Sequence, residues 1–147
     1  MLDQVKNHIR NRSYMSGIER DAIRIKATQE IFTPTEMVKD LLNTLDPNLF
    51  VDSEQPFIDP TCGDGQFLGE ILIRKLENGH TFEQALETIY GVDLMQDNVD
   101  LCRERLLCGQ EHLRHIVEKN IVCADALTYN YTFGEKETFG NGLFEVE

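Results

Sequence analysis

The sequence predicts an α/β protein built on a parallel sheet, and three observations carry that prediction. β-rich runs alternate with amphipathic helical patterns in the order β-α-β-α-β, which calls for parallel pairing through right-handed crossovers. A glycine-containing turn, Asp59-Pro60-Thr61-Cys62-Gly63-Asp64-Gly65-Gln66-Phe67-Leu68, joins the first of those runs to a helix. An acidic residue closes each of the three runs: Asp59, Asp93 and Asp125.

Taken in order, residues 1–30 read as one or two amphipathic helices interrupted near Ser16-Gly17. Leu2, Val5 and Ile9, then Ile18, Ala22 and Ile25, are their apolar positions. A helix start follows, with Thr33 as the expected N-cap, Pro34 at the first helical position and Glu36 completing a capping box. Met37, Val38, Leu41, Leu42 and Leu45 form one apolar stripe that Asp46-Pro47-Asn48 ends. Strand one is Phe57–Asp59. The helix after the glycine turn carries Phe67, Leu68, Ile71, Leu72 and Leu76 to about Asn78, with Gly79 at C′. Thr81 and Gln84 form a second capping box over a short helix containing Phe82, Ala85 and Leu86. Thr88–Asp93 has the composition of a buried strand. Val99, Cys102, Leu106 and Leu107 mark the next helix, Leu113, Ile116 and Val117 a shorter one, and Ile121–Asp125 the third strand. An aromatic, glycine-containing tail follows Thr128, and its Leu143-Phe144-Glu145-Val146 is the expected start of a fourth strand. The organisation expected is a helical segment, 1–30, ahead of a sheet-forming domain, 31–147.

Composition limits the partners. A chain of 147 residues suffices for one domain with a core. No apolar run approaches bilayer-spanning length, and Met1-Leu2-Asp3-Gln4 opens no secretory pattern, so no membrane role is expected. Cys62, Cys102, Cys108 and Cys123 include no C-x-x-C pair, which fits reduced thiols and a cytoplasmic location. A net charge of −12 opposes a grip on a phosphate backbone by the body of the domain. Residues 1–30 differ: Lys6, Arg10, Arg12, Arg20, Arg24 and Lys26 outnumber Asp3, Glu19, Asp21 and Glu30. That basic segment reads first as a solvated helix face, and otherwise as a contact for nucleic acid or an acidic partner surface.

The chemistry gathers where the strands end. Gly63 and Gly65 tolerate positive φ and let the backbone approach a ligand, next to the unpaired amides of a helix N-terminus. Ligands of open α/β sheets bind at that edge. A carboxylate at Asp93 can accept both hydroxyls of a ribose, and Asp125 can accept from the exocyclic amine of a purine. Asp59 repels a pyrophosphate and suits an ammonium or sulfonium, a sign that favours S-adenosylmethionine over a dinucleotide. The spacing agrees: the third glycine of the dinucleotide fingerprint is absent, and Asp93 lies 30 positions beyond Gly63 where about 20 is usual.

Plainer readings stand beside these. A glycine turn with an acid nearby also serves as a tight turn with a helix cap, and Cys62 reads as a small buried residue. Cys102, Cys108, His112 and His115 match no standard zinc spacing. His8, His80, His112 and His115 lack a nucleophile partner. Tyr129, Tyr131, Phe133, Phe139 and Phe144 suit a core or interface better than a base-stacking platform.

The loop motif resembles the D-P-A-C-G-S-G-x-F-L motif of adenine-N6 DNA methyltransferases. Gln29-Glu30-Ile31-Phe32-Thr33-Pro34-Thr35-Glu36-Met37-Val38 is similar to the Y-T-P-x-x-[LIV] element that precedes it there. Tyr90-Gly91-Val92-Asp93 and Cys123-Ala124-Asp125-Ala126-Leu127 resemble the next two cofactor motifs, in the same order, across roughly residues 28–128. The resemblance implies a class I S-adenosylmethionine-dependent methyltransferase (Rossmann-like) parallel sheet, partial, with a helical N-terminal segment. It implies that Thr33 and Pro34 flank the methionine moiety, that Asp59 and Gly63 line its ammonium and carboxylate, that Asp93 binds the ribose and Asp125 the adenine. The matched motifs also bring in Thr61, Cys62, Gly65, Phe67, Leu94 and Ala126. One departure stands out. The family's [D/N/S]-P-P-[Y/F/W] loop, which holds the target base, needs adjacent prolines, and this chain has none after Pro60. No catalytic residue is therefore assigned.

Three readings follow: a DNA adenine-N6 methyltransferase module needing its target loop from a partner or further sequence, a cofactor-binding relic used as an interaction protein, and a methyltransferase with another acceptor. The last ranks lowest because no replacement acceptor motif is evident. Strand one is central in such folds, so a homo-oligomer or a protein partner covering its edge is expected. DNA would be reached through the basic N-terminal segment or a partner.

Overall fold

A computed structural model of the chain describes residues 1–11 and 33–134. Three strands, β1 (Phe57–Asp59), β2 (Ile89–Asp93) and β3 (Ile121–Cys123), form one all-parallel sheet in the order β1-β2-β3. Phe57 lies opposite Ile89, and Gly91 opposite Ile121. Sequential order with right-handed crossovers puts both crossover helices on the same face of the sheet. Those helices are α3 (Gln66–Glu77) and α5 (Gln96–Leu107). The others are α1 (Leu2–Asn11), α2 (Thr35–Leu42), α4 (Phe82–Glu87) and α6 (Arg114–Asn120).

Helix α3 is the centre of the core. Leu68, Ile71, Leu72 and Ile73 are buried between the sheet and the flanking helices. Gly91 lets the sheet come close to α3, because a Cβ there would meet Leu68 Cδ1 at 2.8 Å and Cys62 Sγ at 3.0 Å. Val5 and Ile9 of α1 and Val38 and Leu42 of α2 join the same core. Gly69 serves the α1 contact, since its Cβ would lie 2.7 Å from Ile9 Cγ2. Lys75 is buried from the other end of α3, where its Nζ donates to the Gln55 carbonyl at 2.9 Å and sits 4.8 Å from the centre of the Phe57 ring. Burial pulls its pKa down to about 8.

The opposite face of the sheet is covered differently. Tyr90 points away from α3 by the alternation of a strand, and its ring centre is 4.8 Å from that of the fully buried Phe133. Tyr129 and Tyr131 pack edge-on to Phe133. The Phe133 amide donates to the Tyr129 hydroxyl at 2.7 Å, and the Tyr131 hydroxyl donates to the Ala126 carbonyl at 2.7 Å. These three aromatics are therefore packing residues. Phe139 and Phe144, and the expected fourth strand at 143–146, lie outside the described residues, as does the second N-terminal helix around Ile18, Ala22 and Ile25.

Several expectations need correction. Thr33 does not cap α2: the N-cap is Pro34, in extended conformation, and no side chain bonds there. The helix stops at Leu42, well short of Asp46-Pro47-Asn48, which instead starts a 3-10 turn capped by Asp46. Only two residues of the apolar stripe are buried, Val38 and Leu42, while Met37, Leu41 and Leu45 are exposed. An eight-residue helix buries the one row that meets α3, and the neighbouring row faces outward. Strand β3 ends at Cys123, so Asp125 sits two residues beyond it. Strand β2 begins at Ile89, not Thr88. The second capping box is present in full, with the Gln84 amide to Thr81 Oγ1 at 3.1 Å and the Thr81 amide to Gln84 Oε1 at 3.0 Å. Gly79 takes φ +90° just past the end of α3. No helix among the described residues is long and apolar enough to cross a membrane.

Candidate cofactor site

The site is built at the C-terminal end of β1. The chain turns out of the strand at Asp59, whose carboxylate accepts from the Thr61 amide at 3.0 Å and the Thr61 hydroxyl at 3.4 Å. The Cys62 amide then donates to the Val92 carbonyl at 2.9 Å, which ties the turn to β2. Gly63 and Gly65 take φ of +56° and +97°, a region where side chains are strained. Their settings differ. Nothing lies within 4 Å of a Cβ built on Gly63, whereas one on Gly65 would meet Cys102 Sγ at 3.0 Å. Gly63 therefore presents bare backbone to open space, and Gly65 lets the start of α3 pack on α5.

A cavity of about 250 Å³ opens in front of Gly63, lined by Thr33, Asp59, Thr61, Cys62, Gly63, Asp64, Gln66 and Phe67. Six of the twelve residues singled out from sequence thus converge. Pro34 adjoins the cavity as the N-cap of α2, and Gly65 is buried behind it. Asp93 joins through hydrogen bonds instead. Its Oδ1 accepts from the Gly63 amide at 3.1 Å, and its Oδ2 from the Met95 amide and Asn98 Nδ2, both at 3.0 Å. The acid at the end of β2 therefore clamps the glycine loop. Leu94, Asp125 and Ala126 do not line this cavity. They occupy the next two loops along the same sheet edge, with Leu94 and Asp125 exposed. Those loops are joined by the Ala124 amide to the Asp93 carbonyl at 2.9 Å, and Asp125 spends one oxygen on the Leu127 amide at 2.9 Å.

Electrostatics distinguish the acids and thiols. Burial pushes the Asp59 carboxyl up, Thr61 partly offsets this, and the nearby Asp93 charge adds to it. A cation beside Asp59 would relieve that cost. The Cys62 thiol is held well above its usual pKa by its hydrogen bond to Cys102 and by burial. It is a protonated packing group, not a nucleophile.

Four residues at this site escape a reading of motifs. Gln66 donates from its side chain to the Thr33 carbonyl, joining the lead into α2 to the glycine loop. Asn98 orients Asp93. Asp64, within the loop, is buried and paired at 3.2 Å with Arg105, itself buried on α5. Removing one partner of a buried pair typically costs about 3–5 kcal/mol. The one signal in the sequence is an arginine at a core position of α5, between Cys102 and Leu106.

A larger cavity of about 490 Å³ lies at the far end of α3 among Lys6, Arg10, Lys39, Arg74, Glu70 and Glu77. Lys6 pairs with Glu77 at 3.0 Å, and Arg10 forks onto Glu70 at 2.8 and 2.9 Å. Arg74 donates to the Lys39 carbonyl and Asn43 Oδ1 at the end of α2. Matched charges at helix ends are the chemistry of a helix junction. No group of three or more His, Cys, Asp or Glu side chains that could hold a metal ion occurs among the described residues. Cys102 is buried against the glycine loop, while His112 and His115 are exposed.

Comparison with known proteins agrees with this architecture. No solved structure matches significantly. A type II methyltransferase, M.VspI of Vibrio sp. (strain 343), is 32% identical over 107 residues, which are 71% of this chain and 22% of that protein. The chain therefore spans about a fifth of the length of this relative. The family described as N-6 DNA Methylase matches residues 20–139, a stretch that takes in the glycine loop, all three strands and both strand-end acids. A partial Rossmann-like sheet carrying those motifs in that order identifies this chain as a member of the N-6 DNA methylase family.

Proposed function

We propose that the chain binds S-adenosylmethionine at the β1 edge and forms the cofactor-binding part of a site-specific DNA adenine-N6 methyltransferase. The observation that carries this reading is Gly63, whose bare backbone faces a cavity bounded on one side by the half-buried carboxyl of Asp59. The cavity fits the amino-acid end of the cofactor, with Asp59 as acceptor for the ammonium and Thr33 and Phe67 as walls. Asp93 and Leu94 would meet the ribose and adenine, with Asp125 and Ala126 at the far end of the adenine. The bound cofactor would supply an activated methyl group. This chain's own residues would hold and orient it, and a loop carrying the target base, from further sequence or another chain, would complete transfer. The same arrangement suits a cytoplasmic protein that meets its partner through the β1 edge.

Calorimetric titration with S-adenosylhomocysteine tests the reading, and micromolar binding is expected. Asp93→Asn keeps the shape of the side chain but loses its charge. It should weaken binding about tenfold or more, since charge-assisted bonds are worth roughly 1.5–3 kcal/mol. Unchanged affinity in this variant would remove Asp93 from the site. Absence of binding by the wild-type chain would leave the fold as an interaction scaffold.

A further inference from the structure

Arg105 hydrogen-bonds to parts of the chain far from α5. Its Nη1 donates to the Asp64 carbonyl at 2.9 Å and to Asp64 Oδ1 at 3.2 Å, and its Nε donates to the Ile9 carbonyl at 3.1 Å. Its stem also lies 3.5 Å from where a Gly65 side chain would begin. One buried guanidinium thus holds both the backbone and the side chain of Asp64 in the glycine loop and the last turns of α1. A second link runs alongside it, between His8 Nε2 and the Glu104 carbonyl at 3.0 Å.

From this geometry we infer that Arg105 is a positioning residue for the cofactor loop, and that α1 is its anchor. The setting of Gly63 and Gly65 then depends on whether the N-terminal helix is docked. The fork explains why arginine is needed. Lysine offers a point charge that cannot hold two carbonyls and a carboxylate in fixed directions. Asp64 supplies the charge that keeps the guanidinium buried and the loop closed against α5. Because, among the described residues, α1 reaches the loop through this side chain, through the His8–Glu104 link to α5 and through packing on α3, loosening α1 should be felt at the loop as lost cofactor affinity. Coupling of this kind commonly spans 5- to 150-fold.

This inference rests on the cofactor reading for its ligand, but a ligand-free measurement also tests it. The Gly63 amide is held by Asp93 and the Gly65 amide by the Cys62 carbonyl, so their hydrogen exchange reports loop opening. Exchange is measured on the full chain and on Asp64→Asn, Arg105→Lys and Val5→Ala, with β2 amides as the gauge of global stability. All three variants should speed exchange at Gly63 and Gly65 about tenfold beyond any change in β2. They should also weaken S-adenosylhomocysteine binding by at least fivefold at a temperature where each is folded. Val5→Ala is the decisive variant, because Val5 is on α1 and outside the loop contacts. Exchange at the two glycines that merely tracks β2 overturns the inference, even if affinity falls. Should Arg105→Lys not fold, Asp64→Asn carries the same comparison. If wild type binds no S-adenosylhomocysteine, the cofactor reading fails and the exchange data still decide the role of Arg105.

Discussion

Asp59 is asked to do two things with one charge. Its carboxyl is raised by burial, so the folded chain takes up a proton there at a higher pH than the unfolded chain does. Ionised Asp59 therefore costs stability at neutral pH, and that cost fades as pH falls through the folded pKa. A bound ammonium reverses the balance by favouring the carboxylate. S-adenosylmethionine affinity should consequently drop as the pH is lowered through the Asp59 pKa, because a proton must leave before the cation can bind. Calorimetry from pH 7 downward, within the folded range, should show this limb in wild type and a flat profile in Asp59→Asn. An identical slope in the two proteins would detach Asp59 from the ligand. The sequence itself suggests the sign of this proposed role, since a carboxylate beside a glycine turn suits a cation. The roles of Arg105 and Asn98 are not legible there. Asn98 orients Asp93, and Arg105 meets Asp64 and Ile9 from 41 and 96 positions away, a distance over which no local pattern speaks.

At the scale of elements, local chemistry succeeded where it closes within a few residues. The Thr81–Gln84 box forms both of its bonds, so Thr81→Ala should cost about 1 kcal/mol, read as a lower urea midpoint with an unchanged slope. Loss well below that would mean that burial of Phe82, Ala85 and Leu86 alone sets α4. Strand β1 and the run of α3 were likewise legible, since glycine at 63, 65 and 79 punctuates them. Helix α2 was not. The signal Thr33-Pro34-x-Glu36 has the right residues, yet Pro34 stays extended and Thr33 gives its carbonyl to Gln66. Here the tie to the glycine loop outweighs the capping box. The apolar stripe misled for a related reason: the helix ends before Leu45, the four apolar residues on it form two rows, and tertiary packing chose the row with Val38 and Leu42.

For the molecule as a whole, the unresolved demand is the outer side of β1. Among the described residues β1 has one neighbour, β2, and its three residues are all only half-buried, whereas Ile89, Gly91 and Val92 of β2 are buried. The Phe57 amide donates to the Thr88 carbonyl at 2.8 Å, so the alternation of a strand turns the Ile58 amide and carbonyl to the open edge. Parallel strands rarely tolerate such exposure, because an unpaired row of backbone groups is a template for another strand. The expected outcome is an association that raises the light-scattering mass above the 16.9 kDa of one chain as concentration increases. Ile58→Pro removes the outward donor and should return the protein to monomer. The Ile58 amide supplies the complementary reading. Protection that grows with concentration means pairing between chains, and protection in a monomer means that residues of the same chain cover the edge. A monomer with a freely exchanging Ile58 amide would show that three short strands with an aromatic cover over Tyr90 can stand with an open edge, and the need for a partner at β1 would fall.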